Sequence, residues 1–260
     1  MLAMATVARF NTTIVKSTSL RHPDEVYITE QGIEGDRRYL ILHADGRRIS
    51  GAEKAPLLGI RVSEDADGAL TFAFPHGSER WNAAAEPGEP LAVQMYDRTL
   101  TVRRVWHTAV DHDLSEELKQ DLILARVDED QNARDDTAVT LISLATVDDL
   151  GRRAGPRWAQ GGPDPRRFRM TIELEGCEPL EEDSWGGHRI RVGEVVLRVG
   201  ESVPRCAVTT LDPDTGQKDF PTLDVLASYR RRDGQLLLGM YADVEQPGRV
   251  RVGEAVRLLD

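Results

Sequence analysis

Cysteine is scarce in this chain: only Cys177 and Cys206 occur in 260 residues. Two thiols cannot build a disulfide framework, and they are too few for a four-cysteine zinc or iron–sulfur site. The Gly-x-Gly-x-x-Gly dinucleotide fingerprint and a haem attachment motif are also missing, and the six histidines show no His-Glu-x-x-His spacing. The sequence therefore has no signal for taking electrons from NADH unaided.

Long apolar runs and an excess of positive charge are missing as well. No segment approaches the roughly 20 apolar residues of a membrane span, and the N-terminus, Met-Leu-Ala-Met-Ala-Thr, lacks the charged start and apolar run of a signal peptide. We therefore expect a cytoplasmic protein. The formal net charge of -11 argues against nucleic acid or an anionic membrane as the main partner, although a local positive pocket remains compatible with it.

The residues that are present indicate an ordinary soluble globular protein, with 40% hydrophobic and 30% charged residues. We expect a mixed, β-dominated α+β fold with two domains. A β-rich N-terminal domain is predicted over residues 1–106, because the hydrophobic period changes after Trp106. A second domain, a β-barrel with a few helices, is predicted over residues 107–260.

Period-two alternation and turn residues predict many short strands. In the first half these cover residues 6–15, 27–29, 39–43, 47–50, 60–63, 70–74, 91–95 and 100–105. Asp45–Gly46 predicts a type I′ hairpin turn. In the second half, strands are expected over residues 139–143, 169–175, 188–192, 195–199 and 236–244.

Helices are expected over residues 115–125, 146–153 and 222–231, the first with Ser115 as N-cap and the second with capping-box spacing from Thr146. The polar run 128–136 is interpreted as a linker or solvated loop. Residues 190–199 nearly repeat as 250–259, which predicts two similar hairpins, each turning at Val-Gly-Glu, in one curled sheet or barrel.

Arg205–Cys206 follows a strand that should stop at Pro204, because proline cannot donate to a sheet ladder. A guanidinium beside a thiol favours the thiolate, which attacks electrophiles or binds soft transition metals. A lone cysteine is also often just a small buried hydrophobe. The residues alone leave both interpretations open.

Cations recur at strand ends and in loops of this acidic protein, at Lys16, Arg37, Arg167, Arg169 and Arg205. Arginine binds phosphate or carboxylate with two parallel hydrogen bonds, and lysine adds a point charge. If these groups converge, they form an anion pocket. The alternative is unrelated surface charge.

The sequence resembles the MOSC domain proteins, named for the molybdenum cofactor sulfurase C-terminal domain, together with the β-rich domain that often precedes it. In the second half the resemblance rests on Phe168–Ile172, Glu182–Trp185, Arg191–Val195, Pro204–Cys206, Thr209–Gly216 and Pro247–Gly253. In the first half it rests on Val15-Lys16-Ser17 and Gly35-Asp36-Arg37.

The resemblance implies a molybdenum cofactor, in which a pterin dithiolene (molybdopterin) holds the metal and Cys206 is the catalytic protein ligand. A soft thiolate suits molybdenum, and the pterin phosphate needs cations. The residues that the same match assigns to the pterin or its phosphate are Lys16, Ser17, Arg37, Ser143, Arg169, Thr171 and Arg205. Pyridoxal phosphate is a further ligand that the resemblance admits.

The remaining candidate side chains are not assigned to a functional site. His107 and His112 are expected at the surface or an interface, and Cys177 is expected to be structural because no cation stands beside it. The acidic run Glu181–Asp183 could hold a catalytic base, but a solvated loop is the expectation.

Two functions follow from the resemblance. The first is a molybdenum-dependent oxidoreductase similar to the mitochondrial amidoxime-reducing component and its bacterial relatives, acting on small N-hydroxylated compounds with electrons from a separate electron-transfer protein. The acidic net charge favours a partner with a basic docking face. The alternative is a sulfur-carrier or cofactor-handling module with a persulfide on Cys206. The sequence predicts neither the substrate nor the oligomeric state.

Overall fold

A computed structural model describes residues 5–49, 51, 53–74, 77–82, 87–95, 98–105, 108–128, 131–160 and 162–260. Its strands are β1 (Thr6–Phe10), β2 (Glu25–Thr29), β3 (Gly32–Ile33), β4 (Tyr39–His43), β5 (Arg61–Glu64), β6 (Ala69–Phe74), β7 (Gly77–Asn82), β8 (Pro87–Met95), β9 (Arg98–Val105), β10 (Leu122–Val127), β11 (Val139–Ser143), β12 (Ile172–Glu175), β13 (Arg189–Val192), β14 (Val195–Pro204), β15 (Arg231–Arg232), β16 (Gln235–Gln246), β17 (Gly248–Arg251) and β18 (Val256–Leu258).

Helices are fewer than strands. The α-helices are α1 (Thr108–Leu118), α2 (Leu144–Arg153) and α3 (Thr222–Tyr229). Short 3₁₀ helices cover Ala55–Gly59, Pro156–Trp158, Pro165–Phe168, Glu181–Trp185 and Ala207–Thr210. The expected β-dominated α+β class is confirmed. No helix in the described part of the chain is long and apolar enough to cross a membrane.

The largest sheet runs in the order β1-β12-β11-β16-β14-β13-β18, with β15 on the outer side of the start of β16. A bridge between Thr6 and Ala255 brings the two ends of this sheet together, so that the sheet is nearly a closed barrel. Inward-facing apolar residues such as Phe10, Leu141 and Leu197 are fully buried in one core. Strands β11 and β12 run parallel, and helix α2 lies in the crossover that a parallel pair requires.

Three smaller sheets flank the barrel, in the orders β4-β10-β9-β8, β5-β6-β7 and β17-β2-β3. Strands are exchanged between the halves of the chain: β1 pairs with β12, and β10 pairs with β4. The domain division expected between residues 106 and 107 falls on residues outside the described ones. It stays a prediction.

The helix expected over residues 115–125 is wrong. Helix α1 ends at Leu118, Lys119 adopts a left-handed φ of 52°, and Leu122 begins β10. The Ser115 hydroxyl accepts a hydrogen bond from the Leu122 backbone amide at 3.0 Å, so Ser115 joins the end of α1 to the strand instead of starting a helix. The alternating apolar residues of β10 find partners in β4 and β9, and this tertiary pairing overrides the local helical pattern.

The turn at Asp45–Gly46 is not of type I′, because only Gly46 has a positive φ, at 85°. The Gly46 amide donates to the His43 carbonyl, and the His43 amide donates to the Arg47 carbonyl. This is the longer hairpin connection that ends on one left-handed glycine. Its second arm forms a bridge between Leu42 and Arg48 and a hydrogen bond from the Ile49 amide to the Ile41 carbonyl, and Ser50 lies outside the described residues.

The repeated Val-Gly-Glu segments fold differently. The first copy forms the β13–β14 hairpin, as expected. The second does not form a hairpin, because β17 pairs with β2 and β18 pairs with β13. Identical local turn chemistry therefore gives two topologies, and the available sheet edges decide between them.

Candidate functional site

A cavity of about 640 Å³ opens where loops from both halves of the chain meet the end of β14. Two acidic side chains, Asp135 and Asp136, and the thiol residue Cys206 lie on its wall. Its cationic lining residues are Lys16, Arg37, Arg48, Arg134, Arg169 and Arg205. Six cations against two carboxylates make this a positive pocket in a protein of net charge -11.

The loop after β1 fixes Lys16 next to Arg37. The strand expected over residues 6–15 ends at Phe10, and the following residues form hydrogen bonds to the segment 36–39. The Arg37 amide donates to the Thr13 carbonyl at 2.6 Å, and the Lys16 amide donates to the Tyr39 carbonyl at 2.8 Å. Buried Asp36 accepts from the Thr13 amide at 2.8 Å and from the Arg37 guanidinium. Hydrogen bonds between the two loops therefore bring Lys16 and Arg37 together.

Arg169 comes to the same pocket from the second half of the chain. Its guanidinium donates to the Thr18 carbonyl at 2.9 Å. The Asn11 side-chain amide donates to the Met170 carbonyl at 2.7 Å, so the loop before β12 is attached to the loop after β1. Thr171 also lines the pocket, but its hydroxyl is paired with that of Thr140 at 2.9 Å.

Three pocket residues hold strained backbone conformations. Ser17, Arg37 and Arg169 have φ of 73°, 52° and 53°, in the left-handed region that non-glycine residues seldom adopt. Such strain persists where surrounding contacts over-determine the conformation, and it concentrates at functional sites. The concentration of three of these residues in one pocket supports its assignment as the site.

Strand β14 ends at Pro204, as the sequence predicted, and Cys206 lies two residues further on, where it is exposed. The guanidinium of Arg205 donates to the Phe168 carbonyl at 2.6 Å and stacks over the Phe168 ring at 5.3 Å from its centroid. Its Nε is buried without a hydrogen-bond partner among the described residues. An anion or other acceptor in the pocket would satisfy this orphaned donor.

Burial and mutual repulsion weaken the positive charge in the free pocket. Desolvation, together with the charges of Arg37 and Arg169, lowers the pKa of Lys16 to about 8, although Asp135 opposes this. Desolvation and then Arg37 lower the pKa of Arg169. Desolvation also lowers the pKa of Arg205. A bound anion would relieve this repulsion, so these cations are positioned to stabilise a ligand at the expense of the free protein.

The polar run 128–136 is not a solvated linker in its described part. Arg134 is buried and donates to the Ile33 carbonyl and to Asp36, and Asp135 accepts from the Lys16 ammonium at 2.6 Å. Desolvation is the largest single influence and raises the pKa of Asp135, but the charge and hydrogen bond of Lys16, together with the charges of Arg37 and Arg48, lower it overall. Asp135 therefore forms the ion pair with the Lys16 ammonium when no external anion is bound. Arg48 and Arg134 also line the pocket, and no pattern in the sequence predicted this.

Ser143 and Arg167 are not among the pocket-lining residues. Ser143 is fully buried as the N-cap of α2, where its hydroxyl accepts from the Thr146 amide at 3.0 Å. The cap is thus Ser143, not Thr146 as the capping-box spacing suggested. Arg167 is buried in an ion pair with Asp219 at 2.9 Å and lies over the Phe220 ring.

Three further sequence expectations have clear outcomes. Glu182 does not lie in a solvated loop: it is fully buried and accepts from the Ser143 amide and the Thr146 hydroxyl, and burial raises its pKa. Cys177 packs against the barrel core, and desolvation raises its pKa to about 12, so it is structural as expected. His112 is exposed, and His107 lies outside the described residues.

Replacement of Ser143 by alanine is expected to lower the free energy of unfolding by about 1–2 kcal/mol, because α2 loses its cap. Cofactor content per folded molecule should not change. Urea unfolding and metal analysis measure the two quantities, with Ser228→Ala as the control because Ser228 is an exposed serine within α3. Cofactor loss at unchanged stability would instead place Ser143 in ligand binding.

Anion binding to the cofactor-free protein is expected to weaken as pH rises through about 8, where Lys16 loses its proton. Sulfate is the suitable probe, because its charge is constant over this range. Calorimetric titration between pH 6.5 and 9.5 should show this loss for the unchanged chain, and Lys16→Met should bind more weakly with a flatter pH profile. Identical profiles for the two proteins would exclude Lys16 from the anion site.

The lowered pKa of Lys16 affects the stability of the folded chain in the opposite direction: anion binding weakens as pH rises, whereas stability increases. The unfolded chain keeps the Lys16 proton up to its ordinary value of 10.5, whereas the folded chain releases it near 8. The unfolded state therefore binds more protons between these pH values, and the contribution of Lys16 to the free energy of unfolding rises with pH across that window.

Together, the fold and the pocket define a β-barrel protein with a cation-lined cavity bordered by one exposed cysteine. The chain belongs to the MOSC domain family, whose model matches residues 128–257, half of its 260 residues. The match includes Arg169, Arg205 and Cys206, whereas Lys16 and Arg37 lie before it.

Curated relatives match over the same half of the chain. Mitochondrial amidoxime reducing component 2 of Rattus norvegicus is 38% identical over 136 residues, covering 48% of this chain and 38% of the relative. Mitochondrial amidoxime-reducing component 1 of Homo sapiens is 36% identical over 140 residues, covering 50% and 40%. The matched segment thus spans about two fifths of the length of these relatives.

Among solved structures, the YUAD protein from Bacillus subtilis covers 97% of this chain and 94% of its own, with a TM-score of 0.46 and 14% identity. YiiM from Escherichia coli covers 97% of this chain and 70% of its own, with a TM-score of 0.41 and 12% identity.

Proposed function

We propose that this protein is a molybdenum-cofactor-dependent oxidoreductase that reduces N-hydroxylated or related N-oxygenated small molecules with electrons from a separate protein. The observation that carries the proposal is the position of an exposed thiol, Cys206, at the wall of a buried cation cluster. Membership of the MOSC family and the similarity to amidoxime-reducing components support it.

The residues present fit such a cofactor. Cys206 offers one soft ligand for the metal, and Lys16, Arg37 and Arg169 offer charge to the pterin phosphate. The buried Nε of Arg205 awaits an acceptor. Ser17 lies between the cations with its backbone amide in a strained turn. Thr171 contributes wall surface, while its hydroxyl bonds to Thr140. We do not assign Ser143 to the pterin, since it caps α2.

When bound, the cofactor supplies the two-electron redox centre. The overall reaction is R–NHOH + 2 e⁻ + 2 H⁺ → R–NH₂ + H₂O, in which the N–O bond breaks. The buried Lys16 and Arg37 would hold the pterin phosphate, and the cavity of about 640 Å³ is in the size range of small-molecule sites. The Lys16 ammonium, whose pKa is lowered to about 8, lies on that wall as a group that can hold a proton, and its partner Asp135 is an ionised acceptor.

The test is to supply the cofactor-loaded protein with an N-hydroxylated compound and three electron sources: NADH alone, a one-electron dye, and a reductase with a ferredoxin-like carrier. We expect turnover with the dye and with the carrier system but not with NADH alone, because the sequence has no dinucleotide or iron–sulfur motif. Full activity with NADH alone would contradict a single-centre component.

The alternative is a sulfur-handling module in which Cys206 carries a persulfide. The exposure of Cys206 is compatible with it, because a persulfide must reach an acceptor. Sulfane sulfur without molybdenum in the purified protein, together with no turnover from any donor, would favour this function. The names of the relatives place them in mitochondria, so the cytoplasmic location expected from the sequence stays a prediction.

A further inference from the structure

The sequence contains one run of three adjacent basic residues, Arg230–Arg232, and these residues are not among those that line the pocket. Arg231 and Arg232 form β15, and both are exposed. The run stands out against the net charge of -11. Its position in the fold decides what it can do.

This run lies two strands away from Arg205, the residue before Cys206. The Arg205 amide donates to the Leu236 carbonyl at 2.7 Å, and Leu236 is the register partner of Arg231. Because neighbouring strands are about 4.8 Å apart, the backbone of Arg231 is about 10 Å from that of Arg205. Gln235, the register partner of Arg232, lines the pocket itself. The two arginines therefore border the mouth of the pocket on its Cys206 side.

The charge of these two side chains is available to a partner. Arg230 is already used, because it pairs with Asp183 at 2.5 Å. Arg231 makes no ion pair with any residue that the structure describes. Arg232 is 3.7 Å from Asp233, and the two side chains are 82% and 92% exposed, so this contact is weak.

The hairpin also fixes the backbone that carries the two arginines. Asp233 and Gly234 have φ of 49° and 79°, the pattern of a two-residue type I′ turn. The Leu237 amide donates to the Arg230 carbonyl at 3.1 Å, and Arg230 Nε donates to the Leu237 carbonyl at 3.0 Å. A charged surface that is ordered before binding loses less entropy when a partner docks.

We propose that Arg231 and Arg232 form the docking contact for a small acidic one-electron carrier protein, which delivers electrons to the pocket beside Cys206. The proposal rests on the proposed function. It reverses the expectation of a partner with a basic face, because docking depends on the field within about 10 Å of the contact and not on the charge of the whole protein. Each encounter oxidises one carrier by one electron, so two carriers serve one turnover.

The test compares two double charge reversals in the cofactor-loaded protein. Arg231→Glu with Arg232→Glu changes the docking contact. Arg249→Glu with Arg257→Glu changes two exposed arginines near the opposite end of β14, because Arg257 is aligned through Arg191 with Val196. Eight residues along a strand place that control about 25 Å from Pro204. Each protein is assayed with a one-electron dye and with a plant-type ferredoxin kept reduced by its reductase.

For the β15 variant we expect the KM for ferredoxin to rise at least tenfold at low ionic strength, with a smaller difference at high salt. Dye-driven turnover should equal that of the unchanged protein, and the control pair should change the ferredoxin KM little. Equal effects of the two pairs, or an unchanged ferredoxin KM in the β15 variant, would overturn the docking contact.

Direct titration with oxidised ferredoxin separates this inference from the proposed function. If no electron source supports turnover, the proposed reductase fails, while weaker ferredoxin binding by the β15 variant alone would still support the contact. If turnover with the dye is normal and ferredoxin binds all three proteins equally, the reductase stands and the docking contact is wrong.

Discussion

Cys206→Ser protein is expected to fold normally and to lose its molybdenum. Serine keeps nearly the same volume but replaces a soft thiolate by a hard hydroxyl of low acidity. Loss of a mere outer-shell partner of a metal ligand lowers affinity or activity by about 10- to 100-fold, so loss of the ligand itself should lower metal content at least that much. Because Cys206 is exposed, the substitution removes no core packing.

Metal analysis by plasma mass spectrometry and thermal unfolding measure the two quantities. Cys177→Ser is the control, since this thiol packs against the barrel core away from any cation in the pocket. The control should keep its metal, with at most a modest loss of stability. Wild-type metal content in Cys206→Ser would show that the ligand assignment is wrong, and equal loss in both variants would indicate general destabilisation.

Arg169→Ala is expected to weaken cofactor retention by about 10- to 100-fold. Among the residues that the structure describes, the guanidinium donates one hydrogen bond, to the Thr18 carbonyl, and its other donors can serve a phosphate. Loss of a charge-assisted hydrogen bond costs about 1.5–3 kcal/mol. The stability of the cofactor-free protein should not fall correspondingly, because burial and Arg37 lower the pKa of Arg169 and its charge is a liability without a ligand.

Cofactor dissociation is measured by pterin fluorescence after gel filtration, and unfolding by urea titration. Arg47→Ala is the matched control, because the Arg47 side chain is 71% exposed and its ion-pair partner among the described residues is the exposed Asp45. It should keep cofactor and stability alike. Equal cofactor loss in both variants would remove the basis for treating the pocket cations as a group.

The two predictions depend on different parts of the pocket. Cys206 follows a strand that a proline ends, so its place in a loop could be predicted from the residues before it, whereas its exposure could not. Arg169 reaches the pocket only because Asn11 and Thr18 hold the loop before β12 against the loop after β1. No local pattern predicts such contacts, since they join residues more than 150 positions apart.

Several errors have the same physical cause. The segment 122–127 has residues that suit either a helix or a strand, and it became β10 because β4 and β9 offered open edges. The second Val-Gly-Glu copy does not form a hairpin for the same reason, because its two strands pair with β2 and β13 instead of with each other. Local propensity differs by fractions of a kcal/mol between these outcomes, whereas tertiary pairing and burial contribute more.

The sequence by itself determined the β-dominated class, the position of Cys206 after the strand that Pro204 ends, and the identity of most pocket cations through family resemblance. Composition, periodicity and proline act locally, so they can be interpreted without a fold. Only the tertiary structure decided that Cys206 is exposed, that Ser143 caps α2, that Arg134 and Asp135 border the pocket, and that Arg231 lies two strands from Arg205. Each depends on which strand or loop lies next to which, because charge and hydrogen bonding act over a few ångströms in space regardless of separation along the chain.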